Sequence, residues 1–208
     1  MPAGSVLGID PSPRMIEAAR TPDDQLTNID FGVGDVTTMT FPATSTSLSR
    51  STHWVLDQET AYRHIAAALE PSGRVLVQYV CGGSRPSIEN IAMAVTDDVR
   101  WSAFAGFACP FVHIDPGALP SIAVSADLEV TAHSVTDREW DFGSRKAFPR
   151  WCTVGFADWT ARVPAADIPA FIDEVVDRYE AVVGRPGLFR FLQLRAELSR
   201  RTAFLEHR

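Results

Sequence analysis

Val6-Leu7-Gly8-Ile9-Asp10-Pro11-Ser12-Pro13-Arg14-Met15-Ile16-Glu17-Ala18-Ala19-Arg20 is the stretch on which the fold turns. Its first four residues are apolar or glycine and predict a short buried strand whose C-terminal tip is Asp10. Pro11-Ser12-Pro13 then breaks the strand. Ser12 suits a helix N-cap, and Pro13 suits the first helical position, where a missing N–H leaves no bond unmade. Met15, Ile16, Ala18 and Ala19 give the following helix an apolar side. A carboxylate on a strand tip that feeds a helix can accept hydrogen bonds from the vicinal hydroxyls of a ribose. It can equally sit there because a helix N-terminus stabilises negative charge.

The pattern repeats downstream. A turn-rich stretch over 23–28 leads to Ile29-Asp30-Phe31-Gly32-Val33, a second strand closed by Gly34-Asp35. Residues 37–52 are dense in serine and threonine and poor in aliphatics. A helix is expected over 57–69, with Ala61, Ile65, Ala68 and Leu69 on one face, stopped by Pro71-Ser72-Gly73. Arg74-Val75-Leu76-Val77-Gln78-Tyr79-Val80 is a strong strand. Strands alternating with helices predict an α/β fold with a parallel sheet. In the second half, a helix is expected over 86–101, a loop over 104–120 and a strand over 128–135. A long helix follows over 168–183 with Gly184 as its C-cap, and then a last strand over 188–194. No repeat or linker interrupts the chain, so one domain over 1–208 is the economical count.

The 208 residues are 46% hydrophobic and 22% charged, enough to bury a core and unlike a disordered chain. No apolar run is long enough to span a bilayer, and residues 1–10 do not read as a signal peptide, so the expected compartment is the cytoplasm, with no membrane partner. A net charge of −7 argues against a nucleic-acid partner, because phosphate binding needs clustered lysine and arginine. Cys81, Cys109 and Cys152 lie far apart and read as buried, reduced thiols. The histidines show no metal-ligand spacing. His113 with Asp115 reads as a loop contact, and no metal is assigned.

The quoted stretch closely resembles the second strand and second helix of class I S-adenosylmethionine-dependent methyltransferases. Three later segments resemble the same family in order: Gly34-Asp35-Val36, then His53-Trp54-Val55-Leu56-Asp57, then 65–77. The resemblance implies an incomplete, doubly wound, Rossmann-like methyltransferase sheet with helices on both faces. It implies S-adenosylmethionine as cofactor, with Asp10 on the ribose, Met15 near the adenine, Asp35 on the adenine amino group and the Val36 N–H on the ring. Phe111-Val112-His113, Trp140-Asp141-Phe142, Asp158-Trp159-Thr160 and the helix carrying Tyr179 are similar to the trans-aconitate and juvenile-hormone-acid methyltransferase group. That similarity implies O-methylation of a small-molecule acceptor that bears a carboxylate. The aromatic-rich C-terminal region of Trp140, Phe142, Phe148, Trp151, Phe156 and Trp159 suits a hydrophobic cap over the site, and suits plain core packing equally. Candidate substrate-pocket residues are His53, Trp54, Trp140 and Trp159. Arg100, Arg138, Arg145 and Arg150 are candidate anchors for an anionic acceptor. No catalytic base is named, because a carboxylate is already a nucleophile at neutral pH.

Against the family pattern, the quoted strand comes first in the chain, where a strand, a glycine-rich turn and a helix are expected before it. A sheet built without that unit lacks its central strand and leaves apolar edges through which copies could pair as a homo-oligomer. The serine- and threonine-rich 43–52 stands where an aliphatic fourth strand is expected, so that strand either moves to an edge or does not form. The sequence therefore carries two expectations. One is a methyltransferase, impaired if truncated. The other is a non-catalytic scaffold that binds a partner chain. A nicotinamide-dependent oxidoreductase would need G-x-G-x-x-G before the first strand.

Overall fold

The computed structural model describes residues 4–20, 27–40, 43–50, 52–144 and 146–201. Most of the turn expected over 23–28 and the candidate Arg145 lie outside them.

Strand β1 (Val6–Asp10) pairs in parallel with β2 (Ile29–Val33), Asp10 lying opposite Val33. Gly8 is required at its position, since a Cβ there would meet the Phe31 ring at 2.7 Å. Helix α1 (Pro13–Arg20) starts where the sequence predicts, with the Met15 N–H directed at Ser12 Oγ at 3.4 Å. It buries only Ile16.

Strand β3 (Thr44–Arg50) does form, and it lies on the edge of a second sheet, parallel to β4 (Leu69–Val80). Threonine favours strands, and backbone pairing with β4 holds the segment despite its polarity. Helix α2 (Gln58–Ala68) is capped by Asp57, whose carboxylate accepts from the Thr60 N–H at 2.9 Å. It runs directly into β4. Pairing with β3 jumps from Thr44–Leu69 to Thr46–Arg74, so Pro71 and Gly73 occupy a bulge, where a strand tolerates them.

The expectation of a parallel sheet needs correction in the C-terminal half. Strand β6 (Leu188–Arg200) inserts antiparallel between β4 and β5 (Leu128–Asp141), giving the order β3-β4-β6-β5. Both strands outrun their predicted ends, because their continuous antiparallel ladder satisfies each backbone in turn. Among the described residues, the two-stranded and four-stranded sheets are not hydrogen-bonded to each other.

The helix expected over 86–101 is α3 (Ile88–Thr96) followed by a 3-10 segment over Val99–Phe104. The loop expected over 104–120 is interrupted by a 3-10 turn at Pro116–Ala118 and leads into α4 (Leu119–Ser125). Helices α5 (Ala147–Gly155), α6 (Ala157–Thr160) and α7 (Ile168–Val183) complete the chain. Two apolar clusters result. Phe189 and Phe191 of β6 join α3, α5, α6 and α7 in one, while Leu192, Leu194, Ala196 and Leu198 join α2 and α4 in the other. Strand alternation puts those two sets on opposite faces, so helices cover both sides of the sheet.

The apolar spacing of Ile168, Phe171, Ile172, Val175, Val176, Tyr179, Val182 and Val183 predicts one stripe on helix α7; Phe171, Ile172, Val175, Val176 and Tyr179 are buried, Ile168 and Val183 half-buried and Val182 exposed, and the helix ends at Gly184, whose φ is +77°. A Cβ at Gly184 would meet nothing within 4 Å, so only the left-handed backbone penalises a side chain. Gly184→Ala is therefore expected to cost about 1 kcal/mol, lowering Tm by roughly 2–4 °C in a thermal melt. An unchanged Tm would show that the helix end rearranges.

Candidate functional site

Two sets of residues gather at the C-terminal ends of the parallel strands. The first is acidic. Asp10 ends β1, and its Oδ1 accepts from the Ser12 N–H at 2.8 Å, which fixes the carboxylate at the entrance to α1. One residue past β2, the Gly34 N–H donates to the Asp10 carbonyl at 3.1 Å, which ties the two strand tips together. Asp35 follows directly, and its Oδ1 accepts from both the N–H and the hydroxyl of Thr37 at 2.7 Å. Those bonds hold its carboxyl below the usual carboxylate range, so it is ionised at neutral pH. Val36 is tied to α2 through its carbonyl, 2.9 Å from His64 Nδ1. Met15 is 55% exposed on α1. In each aspartate one oxygen is engaged, and the second has no partner among the described residues, leaving acceptors for a ligand's hydroxyl and amino donors.

The second set lies beyond β3. Thr52–Trp54 form a 3-10 turn that buries His53. Gln58 braces this turn by donating its amide to the carbonyls of Thr52 and Val55, both at 2.6 Å. The Val112 N–H donates to the His53 carbonyl at 2.6 Å and so brings the 111–113 segment alongside. Trp54, Phe111 and Trp159 then form a triangle of rings, with centroid separations of 6.1 to 6.2 Å. His53 lies 5.0 Å from the Trp54 ring, and His113 lies 4.5 Å from the Phe111 ring.

Around this triangle are buried polar atoms that have no hydrogen-bond partner among the described residues: Thr52 Oγ1, His53 Nδ1, Gln58 Oε1, Glu89 Oε2, His113 Nε2 and Trp159 Nε1. Buried polar groups are nearly always paired in folded proteins, so a cluster of orphans marks where complementary groups of a ligand belong. Burial, followed by the neighbouring His113, drives the His53 imidazole down to about 3; burial alone drives His113 to about 4. Both rings are neutral at physiological pH. Burial raises the Glu89 carboxyl.

Of the four candidate pocket residues, His53, Trp54 and Trp159 come together. Trp140 stands apart, 64% exposed near the end of β5. The six aromatics of the C-terminal region do not form one cap. Phe142, Phe148 and Trp151 pack together and reach Phe189 through Phe148 and Trp151, whereas Phe156 and Trp159 pack toward Trp54 and Phe111. Arg100 is paired with Glu174 at 3.1 Å, and Arg138 and Arg150 are exposed. Cys81 and Cys152 are buried as expected, but Cys109 is exposed. Asp115 caps the turn at Gly117 and is spent locally. Sequence reasoning did not single out Phe111, Glu89 or His113 for this site. The only sequence signal for Glu89 was an acidic residue on the apolar flank of a helix, between Ile88 and Ile91.

Residues 1–73 match the family model described as a methyltransferase domain. No curated protein matches the chain. Among solved structures, loganic acid methyltransferase with SAH is similar over 98% of this chain and 75% of its own, with a TM-score of 0.66 and 10% identity. The YcgJ protein of Bacillus subtilis is similar over 96% of this chain and 83% of its own, with a TM-score of 0.61 and 15% identity. The fold is that of a Rossmann-like methyltransferase. Within the methyltransferase fold, Asp10 and Asp35 stand on the tips of adjacent parallel strands, the general position for a nucleotide-bearing ligand. The cyclase SpnF is also similar, over 97% of this chain and 68% of its own at 17% identity and a TM-score of 0.58, so the methyltransferase fold does not by itself fix the reaction. No helix among the described residues is long and apolar enough to cross a membrane.

Proposed function

We propose that this chain binds S-adenosylmethionine at the tips of β1 and β2 and transfers its methyl group to a small, carboxylate-bearing acceptor beside the Trp54–Phe111–Trp159 triangle. The observation that carries the reading is the pair of acceptors, Asp10 and Asp35, each fixed through one oxygen and open at the other. The donor set fits the nucleoside half of the cofactor: Asp10 takes the ribose hydroxyls, Asp35 the adenine amino group, the Val36 N–H a ring nitrogen, and Met15 covers the base. When bound, the cofactor supplies an electrophilic sulfonium methyl.

The chain's own residues have little proton chemistry to do, because a carboxylate acceptor attacks in its ordinary ionised form. They hold the acceptor in line with the methyl group and keep water out. His53, Trp54 and Trp159 do this with flat apolar faces and a few orphaned polar atoms. Loganic acid methyltransferase, named for an acid, is in keeping with this acceptor class. The site falls within one domain of cytoplasmic type, acting on a small molecule and not on nucleic acid.

A second reading is favoured by one observation. Val6, Leu7 and Val33 are about half exposed on the two-stranded sheet, as is Met15 on α1, and no further strand pairs on either side of that sheet among the described residues. Such edges suit a non-catalytic scaffold completed by a partner or a second copy.

Calorimetric titration of the purified chain with S-adenosylmethionine separates the two. The first reading expects saturable one-to-one binding with a micromolar Kd, and a stabilisation of about 2.7 kcal/mol at a hundredfold excess over Kd. A cooperatively folded chain that takes up no cofactor would leave the scaffold reading.

A further inference from the structure

We infer that His53, Glu89 and His113 form a binding site for one divalent transition-metal ion, with Zn2+ the ion the donors fit best. The site shares His53 with the proposed acceptor pocket, but its test reads metal binding and does not depend on methyl transfer. The three residues come from separate segments: the 3-10 turn after β3, the first turn of α3, and the segment preceding the turn at 116–118. Each offers one ligand atom, and the three atoms lie within 4.8 Å of one another.

Their chemistry distinguishes them from an ordinary polar core. The His113 and Glu89 side chains are 6% and 7% exposed, and His53 is 5% exposed. His53 Nδ1, Glu89 Oε2 and His113 Nε2 have no hydrogen-bond partner among the described residues, and the closest approach of Glu89 to His113, 3.8 Å, is too long for one.

The Ser87 oxygen accepts from the Asn90 N–H at 3.1 Å as the cap of α3 and lies 3.3 Å from His113 Nδ1. When Nδ1 donates to that oxygen, the Nε2 lone pair is bare and faces Glu89. A second group that orients a histidine ring through its far nitrogen is the usual companion of a metal-bound imidazole.

A single proton on Glu89 could satisfy at most one neighbouring acceptor. A cation satisfies all three and neutralises the carboxylate. Two imidazoles and one carboxylate, with a fourth position left open, are a donor set suited to zinc. Zinc–ligand distances of about 2.1 Å put neighbouring donors roughly 3.5 Å apart, so the side chains close in by about an ångström when the ion binds.

The test uses the full chain, stripped of metal by dialysis against a chelator. It is titrated with ZnCl2 by calorimetry and with CoCl2 by visible absorption. The expected result is one ion per chain with a Kd of micromolar or tighter, and a saturating cobalt d–d band. Glu89→Gln and His113→Gln, both conservative in shape, should each weaken binding about 100-fold or more while the metal-free chain keeps its far-UV dichroism. Absence of saturable binding would overturn the site. So would stoichiometric binding unchanged in both variants, because the ion would then sit on other residues.

Discussion

Replacing Trp159 with alanine is expected to lower the unfolding free energy by about 3–5 kcal/mol, the range for truncating a buried large aromatic. Trp159 is fully buried, with its ring centroid 4.9 Å from Phe156, 5.8 Å from Phe107 and 6.1 Å from Trp54. Its removal opens a void where three segments meet, and none of them can collapse inward without breaking the 111–113 contact to the His53 turn. Domains of this kind hold only about 5–15 kcal/mol in all, so Tm should fall by roughly 10 °C or more. Trp159→Phe should cost far less, about 1.5 kcal/mol or under, because the indole N–H has no partner among the described residues and its loss relieves a buried orphan. Trp140→Ala is the internal control. At 64% exposure it should stay within about 0.5 kcal/mol of the parent. Urea unfolding followed by far-UV dichroism reads all three without depending on tryptophan fluorescence. If Trp159→Ala and Trp140→Ala cost the same, the triangle of rings is not a packed unit, and its role as a chamber wall fails with it.

That contrast between two tryptophans shows where sequence reasoning stops. Both belong to one aromatic-rich stretch, and nothing local separates them. Which one is buried depends on the ladder between β5 and β6, where Trp140 faces Phe189 across an exposed edge, and on α6 turning Trp159 inward. Features set within a few residues were legible: the Ser12-Pro13 start of α1, the extent of α2 to within a residue, most of the α7 stripe and the Gly184 C-cap. The tips Asp10 and Asp35 were legible for the same reason, since a strand end and the turn after it are written in consecutive residues. Register and strand direction were not, because β6 inserts between strands that precede it by more than a hundred residues and by fewer than fifty. Helix α4 was missed because Pro120 reads as a loop breaker, although proline is well tolerated in a helix's first turn. The grouping of His53, Glu89 and His113 was beyond any spacing rule, because three segments that share no motif are brought together by long-range contacts such as the Val112–His53 backbone bond.

Asp10→Ala is expected to weaken S-adenosylmethionine binding about 100-fold, a loss of ~2.7 kcal/mol. Two vicinal hydroxyls donating to one carboxylate make charge-assisted bonds, each worth roughly 1.5–3 kcal/mol. Part of that returns when water solvates the freed hydroxyls. The same carboxylate also receives the Ser12 N–H at 2.8 Å, so the alanine variant loosens the entry to α1 as well. Asp10→Asn separates the two effects. Its amide oxygen can keep the Ser12 bond but carries no charge, so the ligand-free melt should match the parent while affinity falls about tenfold. Asp30→Ala removes an exposed carboxylate from the neighbouring strand and should leave binding unchanged. Calorimetry on the four chains, each first checked by a ligand-free melt, decides the matter. Equal affinities for the parent and Asp10→Ala would remove the ribose from the tip of β1. A loss in Asp10→Ala that Asp10→Asn fully restores would assign the effect to the α1 entry instead. Only the graded series, with the neutral amide between carboxylate and methyl, ties the charge of Asp10 to the ligand.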